Sequence, residues 1–213
     1  MHAYPLSFFR KKRLFLHHKY NTKILAVKIA VIDNYDSFTY NLVHLIKDLG
    51  VEVDVLRNDT FKLEELSPYD KLVFSPGPGI PKEAGLLEEV IRFYKDKKPM
   101  LGVCLGEQAI AEVFGARLEN LPQVFHGKQT PVRLLNNGSL FRHLPEQISV
   151  GRYHSWIVST KDFPDCLEIT ALSPEGYIMA LNHKDYPIYG IQFHPESILT
   201  PDGKQIMQNF LHA

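Results

Sequence analysis

From Lys28 onward the chain alternates between two hydrophobic periods. KIAVIDN is an apolar run of strand length, and SFTYNLVHLIKDLG then sets Phe38, Leu42, Leu45, Ile46 and Leu49 at helical spacing, with Asp36 or Ser37 as N-cap and Gly50 as stop. VEVDVLRN reads as a second strand and KLVFSPGPG as a third that runs into a Gly/Pro loop. AGLLEEVIRFYKDKK is an amphipathic helix, and PMLGVC is a fourth strand leading into the helix LGEQAIAEVFG. Strands alternating with helices predict an α/β fold with a mostly parallel central sheet and helices on both faces. Ligands in such sheets sit beyond the carboxyl ends of the strands, where SPGPG and Cys104 both fall.

After Gly115 the pattern shortens. QTPVRLL, ISVGRYHSWIVST, LEITALS, YIMALNH and YPIYGIQFHP read as strands separated by turn residues such as Asn137-Gly138 and Glu175-Gly176, and GKQIMQNFLHA as a closing helix. These are expected to be antiparallel strands added to the sheet or packed beside it. With no repeat and no low-complexity linker, residues 27–213 are expected to form one domain.

The full chain has 213 residues, 45% of them hydrophobic, and equal numbers of acidic and basic side chains. That suits a single core of ordinary size. It gives no clustered positive field for nucleic acid or an anionic membrane. Two cysteines far apart in sequence do not make a disulfide framework, and no apolar run reaches membrane-span length, so a reducing cytoplasmic setting is expected. Residues 1–26 differ in kind. Arg10, Lys11, Lys12, Arg13, Lys19 and Lys23 occur there without one acidic residue. His17 and His18 interrupt the apolar run that a secretory signal needs. An organellar presequence and upstream sequence included by start-site choice both fit, and the second is preferred because the first strand needs nothing before Val27. The segment is expected to be a weakly packed tail.

Gly102-Val103-Cys104-Leu105-Gly106 is a G-x-nucleophile-x-G pattern, in which a strand turning sharply into a helix presents a side chain on strained backbone and only small neighbours permit the turn. A helix N-terminus under the sulfur favours negative charge there. The competing reading is a buried core cysteine. A nucleophile needs a base, and the base an orienting group. His194-Pro195-Glu196 offers both, since proline biases His194 to extended backbone, where residues two apart point the same way. A surface turn is the alternative. Ser75-Pro76-Gly77-Pro78-Gly79 could aim backbone N–H groups, together with that of Leu105, at an oxyanion, or could be only a rigid turn. A dinucleotide site fits poorly, because Lys82 stands where the third glycine of G-x-G-x-x-G belongs.

Taken with IDNYDSFTYNL, SPGPGIP, GVCLGEQAI, the HGK at His126 to Lys128, GRYHSW and GIQFHPESILTPDG, the chain resembles the class I glutamine amidotransferases, with their flavodoxin-like fold. Within them it resembles the glutaminase subunits of anthranilate synthase and aminodeoxychorismate synthase. The resemblance runs from Lys28 to the C-terminus. It implies that Cys104 attacks the side-chain amide of L-glutamine, that His194 moves the protons and that Glu196 orients His194. Gly77 and Leu105 would donate to the oxyanion, with Pro78 and Gly79 in the same loop. Gln108 would contact the substrate, and the backbone of Ser155 and Trp156 would hold its α-amino and carboxylate end. No cofactor or metal is implied in this chain, whereas Mg2+ is expected in the chorismate-binding large subunit that would receive the ammonia. Anthranilate synthesis is the preferred destination, with aminodeoxychorismate synthesis, or both, as the alternative. A stand-alone cysteine hydrolase and a non-catalytic regulatory homologue rank lower.

One residue departs from the family. Where CLGHQ is usual, this chain has Glu107, and its carboxylate is expected to point away from the thiol, towards solvent or the partner. Cys166 is expected to be a core residue of a strand. His154 is read as either a contact behind the substrate loop or a structural residue, and Asp36, Ser37 and Tyr40 as lying near the partner surface.

Overall fold

The computed structural model describes residues 27–136 and 138–213. The basic tail and Asn137 lie outside them. In chain order the elements are β1 (Lys28–Asp33), α1 (Thr39–Lys47), β2 (Glu52–Arg57), β3 (Lys71–Phe74), α2 (Leu87–Tyr94), β4 (Met100–Val103) and α3 (Leu105–Val113). There follow β5 (Leu118–Asn120), β6 (Lys128–Leu134), β7 (Gln147–Arg152), β8 (Trp156–Val158), β9 (Leu167–Leu172), β10 (Ile178–His183), β11 (Ile188–Ile191) and α4 (Gly203–His212).

The main sheet runs β2-β1-β3-β4-β11-β10-β9-β6-β7. Its first five strands are parallel, and every pairing beyond β11 is antiparallel. The parallel half has the flavodoxin-like order, with β11 in the place of the fifth strand. β1, β3, β4 and β11 are apolar almost throughout because both faces are covered. Leu42, Val43 and Ile46 of α1 and Ile206, Met207 and Phe210 of α4 pack on one face, and Leu87, Val90 and Ile91 of α2 with Ala109 and Ile110 of α3 on the other. The buried Lys71 ammonium donates to the carbonyls of Phe210 (2.9 Å) and Ala213 (2.8 Å), fastening the end of α4 to β3. That satisfies carbonyls a helix end otherwise leaves open.

The expected strand ISVGRYHSWIVST is broken at Tyr153 to Ser155. β7 stays in the main sheet, while β8 leaves it to pair with β5, a strand too short and too polar to be legible in sequence. Asp36, not Ser37, prepares α1, its Oδ1 accepting the Phe38 N–H at 2.7 Å. Gly50 ends the turn after α1 at φ +82°.

The packing of α3 fixes the centre of the molecule. Every residue from Leu105 to Ala111 is buried. A Cβ on Gly102 would run into the backbone carbonyl of Gly106, and one on Gly106 would lie 2.7 Å from both Cβ and the carbonyl oxygen of Phe74. Both glycines therefore permit an approach that no side chain allows. Gly106→Ala should cost stability by about 1–3 kcal/mol or more, the range for an overpacked core. Denaturant unfolding checks this, and a variant as stable as the native chain would show that α3 sits less tightly than described.

Candidate functional site

Cys104 is the residue between β4 and α3. Its backbone lies at φ +53°, ψ −104°, a conformation L-residues adopt at a cost of about 1–3 kcal/mol. Its N–H donates to the Ile191 carbonyl at 2.8 Å, and its carbonyl accepts the Gln108 N–H at 3.1 Å, so strand and helix both hold it there. The side chain is 7% exposed and stands over the positive end of α3.

His194 follows β11, which lies beside β4, and its Nδ1–H donates to Glu196 Oε1 at 2.7 Å. The juxtaposition expected of His-Pro-Glu is present but arises differently. Pro195 and Glu196 lie in a turn rather than an extended strand, and the Thr200 hydroxyl donates to the His194 carbonyl to close it. The imidazole is walled by Tyr153, its ring 4.8 Å away, and by Phe38 at 5.8 Å. Burial alone would favour the neutral ring. The Cys104 side chain and then the Glu196 carboxylate outweigh it and raise the His194 pKa to about 10. Nε2 has no hydrogen-bond partner among the described residues, and it is the ring nitrogen not engaged by Glu196.

SPGPG forms the opposite wall. Asn34 clamps its base, its N–H donating to Ser75 Oγ and its Nδ2 to the Ser75 carbonyl, each at 2.8 Å, while Asn58 Nδ2 donates to Asn34 Oδ1 at 3.1 Å. A Cβ on Gly77 would meet Leu105 Cδ2 at 2.5 Å, so the loop lies directly on the first residue of α3. Gly77, Pro78 and Gly79 share one cleft, of about 240 Å³, with Cys104, Gln108, Tyr153, His154, Ser155 and Trp156. The sequence-selected residues of three distant segments thus meet around the thiol.

The third wall is pinned from behind. The Trp156 carbonyl accepts Gln108 Nε2–H and His154 Nδ1–H, each at 3.0 Å. His154 Nε2 accepts from Arg152 Nε at 3.2 Å, which fixes the neutral tautomer, and burial followed by the Arg152 charge lowers the His154 pKa to about 3. Arg152 is fully buried, its guanidinium 3.5 Å from the Phe125 ring centroid and 3.1 Å from Glu175. His154 therefore braces the Tyr153–Trp156 loop. Ser155 gives its own carbonyl to the Leu121 N–H at 2.7 Å and keeps one lone pair free.

Glu107 is where expectation and structure part. It has no exposed surface and points into the protein, because α3 is covered on every side by the sheet, α2 and β8. Burial holds its carboxyl well above the usual carboxylate range. Cys166 is half-buried just before β9, its thiol 3.8 Å from the Phe114 carbonyl, rather than within a strand core.

The model of the family described as glutamine amidotransferase class-I matches residues 30–213. The chain belongs to the class-I glutamine amidotransferases. It is 47% identical over 188 residues to the aminodeoxychorismate/anthranilate synthase component 2 of Bacillus subtilis, an alignment covering 87% of this chain and 96% of that one. With the aminodeoxychorismate synthase component 2 of Escherichia coli it shares 45% over 186 residues, 86% of this amidotransferase and 99% of the relative. A solved structure from Thermoplasma acidophilum, described as a candidate component of GMP synthase, superposes with a TM-score of 0.80 at 31% identity, over 88% of this chain and 93% of that one. No helix among the described residues is long and apolar enough to cross a membrane.

Sequence reasoning missed Phe38 and Tyr153 as walls of His194, Asn34 as the clamp of the loop, and Gln192, whose Oε1 accepts from Gln108 at 3.0 Å. Asn34 stands at the end of β1, where this sheet gathers its ligand side. That position was the available signal.

The imidazole couples to the thiol, so replacing Cys104 by Ser should lower the His194 pKa. NMR titration of His194 in both proteins tests this, and identical values would contradict the coupling. A histidine raised in the folded state stabilises fully below its unfolded value of 6.5 and loses that contribution as pH rises through about 10. The stability gap between the native chain and His194→Gln should therefore narrow over that interval.

Proposed function

We propose that this amidotransferase hydrolyses L-glutamine and passes the ammonia to a chorismate-using synthase subunit, with anthranilate as the preferred product. The observation that carries the reading is the buried His194–Glu196 pair acting on a cysteine that opens into a cleft of amino-acid size.

The steps follow from the groups present. Cys104 Sγ attacks the side-chain amide carbon of glutamine, and the oxyanion that forms is met by the N–H groups of Leu105 and Gly77. His194 Nε2 gives its proton to the amide nitrogen as the C–N bond breaks, releasing ammonia and leaving a γ-glutamyl thioester. Water then attacks the thioester, His194 takes its proton, and glutamate leaves as the thiol is restored. Glu196 holds the imidazolium in orientation throughout. Gln108 lines the substrate chain. The free lone pair of the Ser155 carbonyl is the acceptor for an α-ammonium, since both lone pairs of Trp156 are occupied.

A receiving subunit is supported by the rim. Ile198, two residues past Glu196, is 94% exposed, and Tyr40 on α1 is 61% exposed. Large apolar side chains left bare beside a reaction centre suit a surface that another protein covers. Relatives carry both product names at similar identity, the component 2 of Pseudomonas putida anthranilate synthase at 46%. Aminodeoxychorismate synthesis is therefore the second reading.

Mixing the purified chain with each type of large subunit, chorismate and glutamine tests the proposal. Amine should form from glutamine with at least one of them. Cys104→Ser should cut that rate by a factor of about 10³ or more while ammonia-driven synthesis persists. Glutamine hydrolysis that no large subunit stimulates would favour the stand-alone hydrolase, and no hydrolysis would overturn the proposal.

A further inference from the structure

Two polar side chains in the interior near the cleft have unmet hydrogen-bonding needs that match. Gln192 has no exposed surface. Its Oε1 accepts the Gln108 amide, but its Nε2 donors find no acceptor among the described residues. Glu107, the residue before Gln108 on α3, is equally buried, and neither of its carboxyl oxygens has a partner among the described residues. Buried polar groups left this way are costly, and the great majority in native proteins are satisfied.

Their placement brings them to one side of one strand. A Cβ on Gly190 would lie 2.6 Å from Glu107 Cγ, so the glutamate side chain rests on Gly190. Gln192 is two residues further along, and its N–H continues the ladder by donating to the Met179 carbonyl at 3.0 Å. Residues two apart on a strand share a face. Glu107 and Gln192 therefore face the same α3-covered layer, Glu107 resting on Gly190 and Gln192 holding Gln108.

We propose that Glu107 is a positioning residue: it accepts from the Gln192 amide through one buried water, and so fixes Gln108 and the Trp156 carbonyl at the wall of the glutamine site. The contacts from Gln192 onward are in place: Gln192 Oε1 holds Gln108 Nε2, and that same nitrogen holds the Trp156 carbonyl. The water bridge from Glu107 to Gln192 completes the chain. A neutral acid suits the place, because it offers a carbonyl acceptor and puts no unpaired charge beside the sheet, and burial shifts the Glu107 carboxyl in that direction. Glutamine can do the same through its own side-chain carbonyl. Leucine, of similar size, cannot.

The inference rests on the glutamine-hydrolysis reading for its kinetic arm and has a second arm that does not. In the full chain, NMR exchange of the side-chain amide protons of Gln108 and Gln192 should be slow in the native protein and in Glu107→Gln, and at least several-fold faster in Glu107→Leu. In kinetics, Glu107→Leu should raise KM for glutamine about tenfold with a much smaller change in kcat, and Glu107→Gln should restore KM. Gln192→Leu should raise KM similarly, with the double variant no worse than either single one. Unchanged amide exchange in a folded Glu107→Leu protein overturns the positioning role whatever the activity. Native KM in that variant, or additive losses in the double variant, also overturns it while leaving the hydrolytic reading intact.

Discussion

Everything at the site depends on how closely α3 lies against the sheet. Gly102 and Gly106 let helix and strand backbones come within a distance that any Cβ would block, and the chain can then turn from β4 into α3 within the single residue Cys104. The positive φ at that cysteine is the local cost of the turn. Burial of the whole first half of α3 outweighs it, and the same packing brings β11, and hence His194, alongside. A looser helix would move Cys104 away from His194.

The cleft is built from loops that were fixed before any ligand arrives. Asn34 and Ser75 clamp the glycine-proline loop from the β1 and β3 ends, and Arg152, His154 and Gln108 pin the backbone at Trp156 from the opposite side. Such preorganisation matters for a reaction through a tetrahedral oxyanion, since donors already in place need not reorganise as charge develops. The two histidines show how environment assigns roles. His194, between a thiol and a carboxylate, is driven towards the cation, whereas His154, beside a buried guanidinium, is held neutral and serves as a fixed strut.

Much of this was legible in the chain. The alternation of strand and helix periods located β1 to β4 and their helices, whereas the flavodoxin-like order was legible only through the resemblance to the family and is completed by β11 in the fifth place. Gly-Val-Cys-Leu-Gly marked the turn at Cys104 because the spacing itself carries the steric requirement. His194 and Glu196 were paired for an incomplete reason, since the contact is made in a turn and not along an extended strand. Glu107 was misplaced because a charged residue near a helix start normally faces solvent. The small residues Gly106, Ala109 and Ala111 around it, with Gly190 opposite, are the signature of a helix enclosed on all sides, and they argue for burial. Phe38, Tyr153 and Gln192 lie inside the matching stretches, but their contacts were out of reach because each touches a side chain from a distant part of the chain. Only the sheet order brings them together.

The proposed chemistry leaves one unambiguous trace. Rapid-quench mass spectrometry of the intact chain during glutamine turnover, followed by peptide mapping, should find a γ-glutamyl adduct on Cys104 that disappears when glutamine is exhausted. Turnover with no adduct on that residue, or an adduct on Cys166 instead, would contradict the account.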